Sequence, residues 1–359
     1  MSAVWGNNIK ITIFGESHGN GIGIVIDGLY PGIKLDLDYI KREMKRRAPG
    51  KNKLSTPRKE GDEFEILSGF FNETTTGTPL CAIIRNNNTK SKDYSKLKNL
   101  MRPGHADYTG FVKYKGFNDY RGGGHFSGRI TAPLVFAGAI AKQILLSKNI
   151  IIGSHIKSIK DMEDDSLNPI CINENELKKL AEKEFAVLNE EKGKQMQKII
   201  LDAKDEGDSV GGVVECGVIN LPQGLGNPFF DSVESMLAHM LFSIPAVKGV
   251  EFGAGFDLSE MNGSKANDEF YYEDNEVKTY TNNNGGILGG ITNGMPLIFR
   301  CAFKPTPSIS KSQKTIDIEK MTNSELNVIG RHDPCIVQRA VPVVEAAAAI
   351  TILDLIYDK

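Results

Sequence analysis

This chain of 359 residues is poor in cysteine, in long apolar runs, in net charge and in arginine, and each scarcity removes a class of protein. Its 5 cysteines (Cys81, Cys171, Cys216, Cys301 and Cys335) are far apart, odd in number and form no Cys-x-x-Cys. A disulfide framework and a zinc cage are therefore excluded, and reduced thiols in the cytoplasm are expected. No stretch reaches the ~20 uninterrupted apolar residues that span a bilayer, and the N-terminus lacks the basic and apolar regions of a secretory signal. A formal net charge of -2 advertises neither nucleic acid nor an anionic membrane as partner. Against these absences stands a hydrophobic content of 40%, enough for a sizeable core. No linker interrupts the chain, so one continuous domain over 1–359 is expected.

Apolar, β-branched runs predict strands at Lys10–Phe14, Gly23–Asp27, Glu63–Leu67, Leu80–Arg85, Val210–Val218 and Met295–Phe303. Helices are predicted at Leu37–Arg47, with Asp36 or Asp38 as cap, at Ala132–Leu146, Glu174–Lys194, Val233–Phe242 and Val343–Ile356, the last opened by Pro342. Residues 86–105 read as a mobile polar loop, and 261–284 as a poorly ordered excursion. Gly23, Gly28, Pro31 and Gly32 are faintly echoed by Gly212, Gly217, Pro222 and Gly224, a weak sign of a duplicated half. Strands joined through glycine turns favour a mixed α and β domain with antiparallel sheets over a doubly wound parallel one.

Only 11 of the 43 basic residues are arginine, yet Arg46, Arg47, Arg102, Arg121, Arg129, Arg331 and Arg339 crowd into a few Gly- or Pro-bearing segments. His18, His105, His125 and His332 fall in or beside the same segments. A planar, bidentate donor used where lysine is the habit points to carboxylate or phosphate ligands. The segments are Gly15–Gly19, with Ser17 and His18 at a strand end; the cationic turn Arg46–Lys53; Arg102–Asp107; Asp119–Ala132, whose three glycines feed a buried helix with Ser127 and Arg129 as donors; Gly330–Cys335 with Arg339; and Lys304–Ser308. Glycines 19, 21 and 23 are followed by a strand, so they are not a dinucleotide fingerprint, and Gly15–Gly19 has the letters G-x-S-x-G but no helix after it, so it is not a nucleophile elbow. The pattern describes a polyanion site with two histidine proton donors and one carboxylate. A metal-dependent phosphohydrolase using His18, His105, Asp107 and His332 lacks metal-ligand spacing. A non-catalytic flavin- or phosphate-binding protein would need no proton donors.

In combination, GESHG at 15–19, RPGHAD at 102–107, RGGG with Ser127-Gly128-Arg129, GGILGG at 285–290 and GRHDPC at 330–335 resemble the chorismate synthases, from the N-terminus to about Leu355. The resemblance implies an α+β fold: a single-domain β-α-β sandwich with helices packed between antiparallel sheets, assembled as a homotetramer. It implies a carbon–oxygen lyase that uses reduced FMN (FMNH2) for the anti-1,4-elimination of phosphate from 5-enolpyruvylshikimate 3-phosphate. The product is chorismate, the shikimate-pathway precursor of the aromatic amino acids. By the same resemblance His18, with Ser17 beside it, protonates the leaving phosphate, and His105 protonates the reduced flavin. Asp333 helps to remove the C6 proton, and Ser127 belongs to the same catalytic set. Arg47 and Lys53 match phosphate-binding positions, while Arg129 and Arg339 meet the substrate's anionic groups. Flavin contacts are implied for His125, Phe126, Ser127, Pro245, Ala246, Gly289, Lys304, Pro305, Thr306, Pro307, Ser308 and Arg331, with no metal. The chain departs from the common pattern at His125-Phe126, where Arg-Ser is usual, at Pro245 (asparagine) and at Lys53 (arginine). No added domain or long insert is visible, which favours an external flavin reductase over self-reduction with NADPH.

Overall fold

A computed structural model of the chain describes residues 3–50, 52, 54–56, 60–87, 98–328 and 332–357. The first five-stranded antiparallel sheet takes β1 (Val4–Trp5), β2 (Lys10–Gly15), β3 (Gly21–Asp27), β4 (Phe64–Ser68) and β5 (Leu80–Arg85), in the spatial order β1-β2-β3-β5-β4. Along β3 the residues Ile22, Ile24 and Ile26 are buried, the period-2 pattern of a strand facing a core. The second sheet takes β6 (Ile151–Ile159), β7 (Met162–Glu163), β8 (Gly212–Ile219), β9 (Val247–Phe252) and β10 (Leu297–Phe303), in the order β9-β10-β8-β6-β7. The glycine echo falls on β3 and β8, each the middle strand of its sheet.

The helices are α1 (Leu37–Arg47), α2 (Asp107–Lys113), α3 (Thr131–Leu146), α4 (Glu174–Glu182), α5 (Glu190–Asp205), α6 (Val233–Ser243) and α7 (Val337–Tyr357). Helices α3 and α7 pack on each other between the sheets, α3 against β3 and β5 and α7 against β6 and β8. This is the expected α+β sandwich. Both helices are apolar all round because both are enclosed; by length and composition alone Gly128–Leu146, which contains α3, and Val337–Tyr357 could each cross a membrane. Gly138 makes their contact possible, since a Cβ there would lie 2.2 Å from that of Ala346.

Charge also enters this interior. Arg46 bridges Glu43 and Glu345 (3.0 and 2.6 Å), Lys142 reaches the same two carboxylates (2.8 and 2.7 Å), and Ser154 Oγ donates to Glu345 at 3.0 Å. Burial works against the Glu345 carboxylate, but Arg46 and Lys142 outweigh it and hold its pKa at about 2. Arg46 is thus committed to the packing of α1, α3 and α7 and is not a ligand-gripping cation, a correction to the reading of the Arg46–Lys53 turn.

Three other expectations change. The helix expected over Glu174–Lys194 is two, because Phe185, Ala186 and Val187 are buried and the Ala186 carbonyl accepts Ile156 N–H at 2.7 Å. Asn189 then caps α5. Pro342 does not open the last helix: it lies inside α7, which begins at Val337. Residues 261–284 hold a short helix and the hairpin Phe270–Glu273/Glu276–Thr279, organised by Asp268, which accepts from Thr281, Asn283 and Asn284. Of the loop 86–105, residues 88–97 lie outside the described residues, while Leu100 bridges to Asp317.

A buried triad stands in the second sheet, where His155 meets Asp164 at 3.1 Å and Glu215 at 3.0 Å. Burial would push the imidazolium towards neutrality, but the hydrogen bonds to Asp164 and Glu215 outweigh it and raise the His155 pKa. The raised pKa places this stabilisation below the unfolded value of ~6.5 and removes it as pH climbs through the folded value. Thermal melting should therefore show a midpoint that falls with rising pH above ~6.5, and His155→Gln should flatten that part of the curve. An unchanged slope in the variant would contradict the assignment.

Candidate active site

The loops between and beyond the two sheets enclose a cavity of about 860 Å³. The wall brings together Ser17, Arg47, His105, His125, Phe126, Ser127, Arg129, Pro245, Ala246, Lys304, Thr306, Pro307, Ser308, Asp333 and Arg339, drawn from segments hundreds of residues apart. Lys53 and Arg331 lie outside the described residues. Pro305 and Gly289 are not on the wall; Gly289 is the exposed turn of the hairpin Ile287–Leu288/Ile291–Thr292.

His18 is buried behind the wall, and its neighbours Ser17 and Gly122 are the surfaces that border the cavity. Ser17 Oγ lies 3.2 Å from His18 Nδ1 and 3.4 Å from the Arg121 carbonyl. The run Gly122-Gly123-Gly124 has φ of 61°, 94° and 55°, the left-handed region that favours glycine. Its purpose is space as much as dihedral freedom. A Cβ on Gly122 would sit 2.0 Å from His18 Cε1, and one on Gly123 3.1 Å from His105 Nε2. The triple glycine is therefore the partition between the two histidines, rather than the helix-start anion cradle its place before α3 suggests. Asp119 backs this loop: its hydrogen bonds from Arg121, which outweigh burial, hold its pKa below the ordinary carboxylate range, with the charge of His18 adding to the effect.

His105 is oriented from behind. Asp107 accepts from its Nδ1 at 2.6 Å, and Arg102 clamps Asp107 through Nε and Nη2 at 2.7 and 2.8 Å. Burial opposes the Asp107 charge, but the hydrogen bonds from His105 and Arg102 outweigh it and hold its pKa far below the ordinary range. With Nδ1–H given to Asp107, Nε2 is left for the cavity. Asp107→Asn is expected to lower kcat on the order of 10-fold by loosening that tautomer, in a protein that melts normally. Steady-state rates of the folded variant test it, and an unchanged kcat would remove Asp107 from the site.

Asp333 accepts Thr56 N–H at 2.8 Å on one oxygen and Arg339 Nη1 at 2.7 Å on the other, while Arg339 Nε donates to the Arg47 carbonyl at 3.1 Å. Burial lowers the pKa of Arg339, but an arginine remains charged. Arg47 donates to Thr131 Oγ1 (3.2 Å), the Gly128 carbonyl (3.1 Å) and Asp62 (2.6 Å). Arg129 donates to Asn86 (3.1 Å), Glu60 (2.9 Å) and the same Asp62. The pattern of one carboxylate and two histidines is too lean: Glu60, Asp62, Asp107 and Asp119 also stand at the site. Asp107 and Asp119 lie in the segments already singled out, as the end of RPGHAD and the start of Asp119–Ala132, whereas Glu60 and Asp62 belong to none.

Thr306 Oγ1 is buried in the wall segment with no hydrogen-bond partner among the described residues, and His125 Nδ1 lies 2.9 Å from the Gly15 carbonyl. Such a wall, with arginines, histidines and carboxylates set among apolar side chains, suits a ligand that carries several negative charges beside an apolar part.

A family model described as chorismate synthase matches residues 9–357. The chain is 49% identical over 355 residues to a chorismate synthase of Dehalococcoides mccartyi, spanning 99% of this chain and 96% of that protein. It is 50% identical over 363 residues to one of Methanocaldococcus jannaschii, spanning 98% and 95%. A crystal structure of chorismate synthase is similar at a TM-score of 0.77 and 30% identity, covering 99% of this chain and 93% of that one.

Proposed function

The chain belongs to the chorismate synthase family of shikimate-pathway lyases, and from that premise we propose that it binds reduced FMN and 5-enolpyruvylshikimate 3-phosphate together in the one cavity and eliminates phosphate in the 1,4-anti sense. The observation that carries this reading is the meeting of Ser17–His18, His105 and Asp333 around a single cavity that also holds Arg47, Arg129 and Arg339. The lone Thr306 hydroxyl, with Pro245, Ala246 and Ser308 beside the same space, fits a flavin ring edge. When bound, reduced flavin lends electron density that the redox-neutral elimination returns.

The protein's own part is to bind, orient and place protons. The arginines neutralise the substrate's carboxylates and phosphate. His18, steadied by Ser17, holds the proton for the departing phosphate oxygen, and His105 holds one at Nε2 towards the flavin. Asp333, fixed by Thr56 N–H and Arg339, offers its carboxylate to the C6 proton. Ser127, whose Oγ accepts Arg129 N–H at 3.2 Å, keeps that arginine's segment in register. Closure of the loops around a bound ligand would exclude water, which strengthens each of these charges. The enzyme is read as one catalytic domain, a cytoplasmic homotetramer supplied by an external flavin reductase.

The test is an anaerobic assay with dithionite-reduced FMN and the enolpyruvyl phosphate. Chorismate absorbance and phosphate release in equal amounts are expected, and neither appearing would end the proposal.

A further inference from the structure

Asp62 belongs to none of the motifs and is absent from the cavity wall, yet two wall arginines close on it. We infer that Asp62 is a positioning residue: its shared carboxylate holds the Arg47 and Arg129 guanidiniums side by side in the orientation that receives the substrate's anionic groups. The inference rests on the reading above that these arginines meet those groups.

Two like charges this close repel unless an anion lies between them. The Asp62 side chain is fully enclosed at 0% exposure and gives one oxygen to Arg47 Nη1 and the other to Arg129 Nη1. Thr131 and the Gly128 carbonyl then fix the rest of the Arg47 fork, and Asn86 and the Arg85 carbonyl fix that of Arg129. Asp62 is the acceptor common to both. Burial opposes its charge, but Arg47 and Arg129 outweigh that and keep its pKa below the ordinary range. Its backbone has φ 52°, a left-handed conformation that Asp, Asn and Gly tolerate. Glu60, on the same Arg129 Nη1, borders the cavity, so the interior counter-ion is Asp62.

Asp62→Asn and Asp62→Gly both keep that backbone available. Each is expected to raise KM for the enolpyruvyl phosphate by about 10-fold or more with kcat within about 3-fold, the mark of lost ground-state and transition-state binding together. Sodium formate, a carboxylate small enough for the space left by Asp62→Gly, should restore most of the KM, whereas sodium chloride at equal ionic strength should not. A purely structural role would show no such rescue. A KM unchanged in both Asp62 variants, while Arg47→Lys and Arg129→Lys raise it, overturns the inference alone. A KM unchanged in the arginine variants as well overturns the underlying reading of the anion site. Variants that stay unfolded with formate present also overturn the inference, because they give Asp62 a role in folding instead.

Discussion

His18→Ala is expected to lower kcat by about 10²- to 10⁴-fold, the usual worth of a positioned proton donor, while oxidised FMN binds as before. The ring is buried, touches Ser17 and is walled off by Gly122, so no solvent donor takes its place at the same distance. The cost falls on the departure of phosphate, not on ligand binding, and KM should move little. Flavin fluorescence titration beside steady-state kinetics separates the two. A variant that keeps a tenth or more of wild-type turnover would show that the leaving oxygen finds its proton elsewhere.

An equally large loss is expected from a change that removes no functional group. In Gly122→Ala the new methyl would lie 2.0 Å from His18 Cε1, 2.1 Å from Nδ1 and 3.0 Å from Ser17 Oγ. The left-handed backbone adds a cost of about 1–2 kcal/mol for an L-residue. The imidazole must leave its place, so kcat should fall by about 10²-fold or more. The control lies away from the cavity: Gly263→Ala meets nothing within 4 Å and has an ordinary φ, so it should turn over within about 2-fold of wild type. Similar activity in the two variants would contradict the partition role of the triple glycine.

How much of this was legible beforehand follows from what local sequence encodes. The bounds of α1, Leu37–Arg47, are marked by an acidic cap and a regular apolar stripe, and Asp36 does accept from Asp38 and Tyr39 N–H. The strand β6 was missed because its apolar run is broken by Gly153, Ser154 and His155, each chosen by a partner elsewhere: Gly153 by the close approach of Leu177, Ser154 by Glu345, His155 by Asp164 and Glu215. The motifs identified the cavity residues well because glycine, histidine and arginine in short loops carry their chemistry openly. What they did not disclose is direction. Arg46 and Arg47 are neighbours, and a turn of about 100° per residue along a helix sends one into the core network and the other to the cavity. Nor could spacing pick out Asp62, whose meaning arises only when Arg47 and Arg129, from distant segments, both reach its carboxylate.

The most direct test is a crystal structure of the protein with FMN and the enolpyruvyl phosphate bound. The ring nitrogens of His18 should lie within about 3.5 Å of the phosphate ester oxygen or bridge to it through Ser17. The carboxylates should face the Arg47–Arg129–Arg339 wall, and the flavin should sit between His105 and Asp333. Ligands lodged at the Trp5–His239 end of the cavity instead, with no contact to either histidine or to Asp333, would contradict the account.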